Sequence, residues 1–235
     1  RYIDVAWQSQ AICAGIASRG ASYRGGELMR KRILILLSSG FEVMEAACFT
    51  EVFGWASIYG EIRFEQLSVG LRNPIRTTFG FDVIPEALLR DLELDDFDAL
   101  VIPGGFGDAG FYEEALSEPF LNVIRAFDQR QAPIAAVCVS AISLAAAGVL
   151  TGKRATVYHQ LGGTRKAELE SYGAVFVDQP LVIDGHLMTS TGPGTGIELA
   201  LKLLEVLSSP GFAQELRERM RVPTPSAGWL QAPQV

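Results

Sequence analysis

Ile134-Ala-Ala-Val-Cys138-Val-Ser-Ala141 is the stretch that decides the fold. Its first half is an apolar run of strand length, and its second half continues into a helical pattern of small residues. Small residues on both sides of Cys138 permit a tight strand-to-helix turn, the nucleophile-elbow geometry known best with serine. The thiol then lies at a helix N-terminus, which favours the thiolate. We predict that Cys138 is a nucleophile or an oxidation site; the alternative is a small core residue.

Apolar runs of strand length alternate with longer segments of helical period along most of the chain. This alternation is typical of a parallel sheet covered by helices on both faces, and it predicts a single-domain, doubly wound α/β fold with a mostly parallel sheet. The predicted strands are 33–37, 62–69, 98–102, 134–137, 155–158, 181–183 and 187–190, with a short extended pair around 80–83. The predicted helices are 43–59, 113–129, 140–147, 164–172, 195–207 and one that begins at Pro210.

The chain divides into four predicted segments. Residues 1–28 differ in composition from the rest and are expected to be disordered or not natively translated, because Met29 is followed at once by a strand pattern. The α/β domain is predicted to span 29–208, followed by a C-terminal helix at 209–221. The Pro- and Ala-rich remainder, 222–235, is expected to be a flexible tail.

Composition excludes several classes of function. With 20 Lys and Arg against 27 Asp and Glu, the net charge is −7, and no basic run suits a nucleic acid or an anionic membrane. No apolar run approaches the roughly 20 residues that span a bilayer. Three scattered cysteines and two histidines favour neither a disulfide framework nor a metal site. The cysteine pattern favours a reducing, cytoplasmic location. Phosphate-binding glycine motifs are also missing from the sequence, so we expect a site without a cofactor.

A glycine pair, Gly104 and Gly105, follows a predicted strand at its carboxyl end. Open α/β sheets bind their ligands at this edge, and Cys138 is predicted to lie at the same edge. The N–H groups of Gly105 and Val139 could therefore bind an oxyanion that forms on a substrate carbonyl, or the oxygens of an oxidised sulfur. The alternative is an ordinary loop with two glycines.

Two carboxylates, Glu42 and Glu45, follow the first predicted strand. They lie three residues apart and so share one helical face. One of them could be buried against Cys138 with a raised pKa, which would allow it to move protons. Alternatively, both are first-turn carboxylates stabilised by the helix dipole.

In this order the motifs resemble the ThiJ/PfpI family, over about 30–207. The resemblance rests on four motifs: Gly40-Phe-Glu-x-x-Glu45, Val101-Ile-Pro-Gly-Gly105, Ala135-Ala-Val-Cys138 and Thr189-Ser-Thr-Gly-Pro-Gly-Thr195. It implies a flavodoxin-like, class I glutamine-amidotransferase-like fold. It also implies that Cys138 is the reactive cysteine, that Glu45 is the carboxylate beside it, and that Gly104, Gly105 and Val139 bind substrate or oxyanion.

This chain departs from parts of the family pattern. Val139 stands where the protease-like branch has a histidine directly after its cysteine, which argues against a peptidase. In the deglycase-like branch a histidine lies near the cleft, at a position that Tyr158 or His159 would fill. Strand alternation lets only one of them face Cys138, either Tyr158 as a hydrogen-bond donor or His159 as acid or base. His186, beside a predicted Asp-Gly turn, is expected to be a solvated loop residue.

The resemblance implies a cysteine-dependent, cofactor-free enzyme that acts on a small reactive carbonyl, such as a 2-oxoaldehyde, or on its adducts. Cys138 would attack the aldehyde and Glu45 would shuttle a proton. The alternatives are an isonitrile hydratase, an amidotransferase-like hydrolase using His159, and a redox-sensing stress protein or chaperone. The expected partners are the small substrate and a second copy of the chain in a homodimer, without nucleic acid, membrane or metal.

Overall fold

The computed structural model describes residues 29–230. The predicted leader at 1–28 and the last part of the predicted tail, 231–235, lie outside the described residues. The strands are β1 (Met29–Leu37), β2 (Ile62–Gly70), β3 (Ile75–Arg76), β4 (Asp82–Val83), β5 (Ala87–Leu88), β6 (Ala99–Ile102), β7 (Ile134–Val137), β8 (Arg154–Ala155), β9 (Val175–Phe176), β10 (Leu181–Asp184) and β11 (Leu187–Ser190). The helices are α1 (Val43–Tyr59), α2 (Phe111–Ala115), α3 (Glu118–Gln129), α4 (Ser140–Ala146), α5 (Arg165–Ser171), α6 (Gly196–Leu207) and α7 (Pro210–Arg219).

Seven strands form the central sheet in the order β10-β11-β7-β6-β1-β2-β5. All neighbours are parallel except β10 and β11, which form an antiparallel hairpin at the edge. Every residue of β6 and β7 is buried, as expected of central parallel strands covered on both faces. The helices pack in two groups, α1 with α6 and α7, and α2 to α5 in sequence. The predicted doubly wound α/β fold is therefore confirmed.

The topology places the candidate site at one edge of the sheet. Strands β1, β6 and β7 are adjacent and parallel, so the loops that follow them converge at their carboxyl ends. Those three loops lead into α1, into the glycine pair and into α4. None of the helices within 29–230 is both long enough and apolar enough to cross a membrane.

Some predicted elements differ from the observed ones. The predicted helix at 113–129 is two helices, because Ser117 is extended and α3 begins just before Pro119, which is tolerated only in a first turn. The predicted strand at 155–158 is limited to β8, and the chain from Thr156 to Gln160 is irregular. The extended pair expected near 80–83 is the β3–β4 hairpin, whose first strand begins earlier. The short strands β5 and β9 have no counterpart in the prediction.

Candidate active site

Cys138 occupies a sharp turn between β7 and α4. Its φ is +61°, in the left-handed region that a residue with a Cβ adopts at a cost of about 1 kcal/mol or more. The Cys138 N–H donates to the Ser190 carbonyl at 2.8 Å, and the Ser140 hydroxyl donates to the Ile102 carbonyl at 2.8 Å. These bonds tie the turn to the ends of β11 and β6. The backbone is thus the nucleophile elbow predicted from the small residues around the cysteine.

Glu45 lies in the first turn of α1 and is fully buried. The Gly104 N–H donates to Glu45 Oε2 at 2.6 Å. The other oxygen, Oε1, is buried and has no hydrogen-bond partner among the described residues. One carboxylate oxygen each from Glu42 and Glu45 and the Cys138 sulfur all lie within 4.8 Å of one another. The structure therefore brings both predicted carboxylates to the sulfur.

The loop after β1 is joined to the loop after β6 by backbone contacts. The Glu42 N–H donates to the Gly104 carbonyl at 2.8 Å, and Phe41 forms an isolated antiparallel bridge with Gly105. A Cβ on Gly104 would lie 2.8 Å from Cys138 Cβ and 3.0 Å from Glu45 Oε2. Only glycine leaves this space open, so the glycine is required by the close approach of the thiol and the acid.

Burial dominates the electrostatics of this cluster. Burial and the nearby Glu42 carboxyl group raise the pKa of Glu45 from its ordinary 4.5 to about 8, against the lowering effect of the Gly104 N–H. Burial also raises the pKa of the Cys138 thiol well above its usual range, and the Glu45 charge adds to this rise. The Val139 N–H acts in the opposite direction and lowers the pKa of the thiol.

Desolvation by burial therefore opposes the predicted thiolate, which stays a prediction. The sequence argument relied on the N-terminus of the helix after Cys138, but α4 has only 7 residues and Cys138 is 4% exposed. Desolvation of the thiolate outweighs a short helix dipole and one N–H donor. The thiol and the carboxyl group are in the same buried cluster, so their protons are released as a coupled pair.

Tyr158 and His159 take different directions. The Tyr158 N–H donates to the Cys138 carbonyl at 3.4 Å, so this residue borders the elbow through its backbone. His159 places Nδ1 at 2.8 Å from the Val157 carbonyl and Nε2 at 2.9 Å from Asp178 Oδ1. Both ring nitrogens are thus occupied by these oxygens, not by the thiol. Because this segment is not a strand, the expected alternation of the two side chains does not apply.

His186 corrects another expectation. Its side chain is only 10% exposed, and Nε2 lies 2.8 Å from Asp128 Oδ1. It therefore anchors the β10–β11 hairpin to the end of α3 and is not a solvated loop residue. The pairing was not visible in the sequence because 58 residues separate the two partners.

One buried carboxylate near the site was missed by the sequence reasoning. Glu114 accepts hydrogen bonds from the Ser39 N–H at 2.8 Å and the Ser39 hydroxyl at 3.1 Å, and it pairs with Arg72. Its side chain is 5% exposed. Glu114 thereby fixes the loop between β1 and α1, which carries Glu42. No local signal marks it, since it lies in an ordinary helical pattern.

The cluster of Glu42, Glu45 and Cys138 is also the group of donor atoms, among the described residues, that converges closely enough to hold a metal ion. The raised pKa of both Glu45 and Cys138 means that these groups hold protons near neutrality. A cation would have to displace those protons. The site therefore suits proton transfer better than metal binding near neutral pH.

These features define a class of α/β proteins in which a cysteine occupies the turn from a parallel strand to a helix and contacts a buried acid. The sequence model of the DJ-1/PfpI family matches residues 31–206, and the chain belongs to this family. The resemblance to this family that the four sequence motifs indicated is thus confirmed.

Several relatives are similar over much of their length. Protein dj-1beta of Drosophila melanogaster is 31% identical over 196 residues, which cover 83% of this chain and 98% of the relative. Its crystal structure superimposes with a TM-score of 0.72 at 30% identity, covering 83% of this chain and all of that one. The glutathione-independent glyoxalase DJR-1.2 of Caenorhabditis elegans is 30% identical over 138 residues, 58% of this chain and 69% of that protein. Isonitrile hydratase of Pseudomonas putida is 33% identical over 144 residues, 60% of this chain and 58% of that protein.

Proposed function

We propose that this protein is a cysteine-dependent, cofactor-free enzyme that converts small 2-oxoaldehydes into 2-hydroxy acids. The observation that carries the proposal is the burial of the Cys138 thiol against Glu45, whose Oε1 has no partner within the described residues. A nucleophile beside a proton-carrying acid is what carbonyl addition requires. Similarity to a glutathione-independent glyoxalase supports the same reaction class.

The first half of the proposed reaction forms a hemithioacetal. The ionised Glu45 carboxylate takes the thiol proton of Cys138 as the sulfur attacks the aldehyde carbon. The electron pair of the carbonyl bond moves onto its oxygen. The N–H groups of Gly105 and Val139 bind this oxyanion. Glu45 then returns the proton to the oxygen. Because the pKa of Glu45 is about 8, about one molecule in ten holds the carboxylate at pH 7.

The second half moves a hydrogen between adjacent carbons. The Glu45 carboxylate removes the proton from the former aldehyde carbon while the neighbouring carbonyl oxygen takes a proton from solvent, giving an enediol. The hydroxyl on the first carbon then returns a proton to solvent as Glu45 delivers the abstracted proton to the second carbon. The first carbon is thereby oxidised to a thioester and the second is reduced to an alcohol, so no external oxidant or reductant is needed. Water attacks the thioester, Cys138 leaves with a proton, and the 2-hydroxy acid is released.

The direct test is turnover of methylglyoxal without glutathione, with lactate as the measured product. The wild type should complete many turnovers, whereas Cys138→Ser and Glu45→Gln should lose at least about 100-fold. Cys48→Ser is the matched control, because Cys48 is the other free cysteine of the described residues and is only partly buried. No lactate above the buffer rate from the wild type would refute the proposed activity.

Hydration of an isonitrile is the second candidate, favoured by the similarity to isonitrile hydratase and by the protonated acid at Glu45. In that reaction the acid would protonate the isonitrile carbon and water would add, giving an N-substituted formamide. Assays with methylglyoxal and with cyclohexyl isocyanide on one preparation separate the two. A stable gain of two oxygens at Cys138 under mild peroxide, without turnover of either compound, would instead favour a redox sensor.

The homodimer stays a proposal. It is supported by exposed apolar side chains on the β3–β4 hairpin region and on α1, with Phe79 78%, Ile84 74% and Met44 60% exposed. Light scattering at micromolar concentration should give twice the chain mass. A monomer mass across that range would contradict it.

A further inference from the structure

Tyr112, in α2, has a buried hydroxyl that makes no hydrogen bond to any described residue. Its ring is held firmly: Phe111 packs edge-on at 5.4 Å, and the Arg165 guanidinium lies 4.6 Å from the ring centre. A buried hydroxyl without a partner is costly, and such groups are rare in native proteins. A fixed ring with an orphan hydroxyl therefore points to a missing acceptor, such as an oxygen of a bound ligand.

The location of Tyr112 matches the candidate active site. A Cβ on Gly107, three residues after Gly104, would lie 3.2 Å from the Tyr112 ring, so the ring packs on the loop that bonds Glu45. The ring also contacts Arg165, the first residue of α5, and α5 follows the irregular segment whose Tyr158 N–H bonds the Cys138 carbonyl. Tyr112 thus packs on the loop after β6 and on the start of α5.

Electrostatics agrees with this position. Burial raises the pKa of Tyr112 above its usual range; the Arg165 cation opposes the rise, and the charges of Glu168 and Cys138 add to it. The Cys138 sulfur is therefore close enough for its charge to act on the phenol. A phenol that stays protonated can donate a hydrogen bond but cannot act as a base.

We propose that Tyr112 binds substrate: its hydroxyl donates a hydrogen bond to the oxygen on the carbon next to the one that Cys138 attacks. This inference rests on the proposed function and names its substrate class, the vicinal dicarbonyls. The first substrate oxygen goes to the Gly105 and Val139 amides, and the second goes to Tyr112. Negative charge develops on the second oxygen when the proton leaves the neighbouring carbon, and a donor there stabilises that charge.

The test measures binding at Cys138 without turnover. Butane-2,3-dione has two adjacent carbonyls but no aldehyde hydrogen, so it can add to the thiol without going on to product; propanal is the single-carbonyl counterpart. Each protects Cys138 from iodoacetamide in borate-free buffer, and peptide mass spectrometry reports the capture rate. Tyr112→Phe should raise the butane-2,3-dione concentration for half protection by about tenfold, the effect of one hydrogen bond, and leave the propanal value unchanged.

Controls separate this role from a structural one. Tyr172→Phe, an exposed tyrosine at the end of α5, should behave as wild type with both carbonyls. The melting temperature of Tyr112→Phe should be unchanged or higher, because an unpaired buried hydroxyl is removed. Tyr112→Leu should show the same selective loss for the dicarbonyl.

Three results would overturn the inference: no protection of the wild type by butane-2,3-dione, equal protection of wild type and Tyr112→Phe, or an equal loss for both carbonyls. Failure of methylglyoxal turnover with the selective loss intact would instead refute only the proposed reaction, since protection requires addition to Cys138 and no later step.

Discussion

Replacing Glu45 by glutamine should stabilise the protein at neutral and alkaline pH and leave its stability unchanged in acid. Glutamine keeps the shape and the oxygen that accepts the Gly104 N–H at 2.6 Å, but it cannot ionise. In the wild type, the unfolded carboxyl ionises near its ordinary pKa of 4.5, whereas the folded carboxyl holds its proton up to about 8. The folded pKa is raised, so stability is full below 4.5 and falls as pH rises through 8.

The size of the effect follows from that interval. Each pH unit between 4.5 and 8 costs the wild type about 1.4 kcal/mol of unfolding free energy, which amounts to about 3 kcal/mol at pH 7 and about 5 kcal/mol above pH 8. These values are upper limits, because a buried site relaxes when it ionises. Glu45→Gln should recover most of this loss.

Urea denaturation at pH 5, 6, 7 and 8 measures the unfolding free energies of wild type and Glu45→Gln at each pH. Glu51→Gln is the matched control, since Glu51 is exposed on the same helix. The gain in unfolding free energy of Glu45→Gln over wild type should grow steadily with pH. The unfolding free energy of Glu51→Gln should show no such growing gain. A difference for Glu45→Gln that stays constant from pH 5 to 8 would show that Glu45 does not hold a raised pKa in the folded state.

Three further changes test the site. Gly104→Ala places a methyl group 2.8 Å from Cys138 Cβ, so it should cost about 1–3 kcal/mol of unfolding free energy and most of the turnover, measured by denaturation and lactate production. His159→Ala should change turnover by less than about threefold, because its ring bonds Asp178; a loss of about 100-fold would restore it to the mechanism. Glu114→Ala removes the acceptor of the β1–α1 loop and should lower the unfolding free energy by about 2–3 kcal/mol; unchanged stability would contradict its anchoring role.

Local sequence patterns were sufficient for much of the fold. The apolar run at Ile134–Val137 and the apolar stretch at Val43–Tyr59 gave those elements with the observed bounds, because both signals lie within one element. The break between α2 and α3 was not predicted, since the helical period continues across it. The strand predicted at 155–158 was too long for a similar reason. Alternating apolar residues form a strand only where a neighbouring strand continues to pair with them, and β8 pairs with β9 over two residues.

The candidate site shows the same limit. Motif order indicated that Cys138 and Glu45 would meet, because carboxyl ends of parallel strands converge. The helix argument for a thiolate left out desolvation, which depends on everything packed around the sulfur and raises the pKa of the thiol. Tyr112 carried no motif, and its significance appears only from an unpaired hydroxyl in the folded chain.

The central claim is that Glu45 takes the proton from the Cys138 thiol. The rate of iodoacetamide capture at Cys138 against pH, in wild type and in Glu45→Gln, tests it most directly. The wild-type rate should rise through an inflection near pH 8, where Glu45 ionises, and this inflection should vanish in the variant. Identical profiles for the two proteins, or a wild-type cysteine already fully reactive at pH 6, would contradict the account.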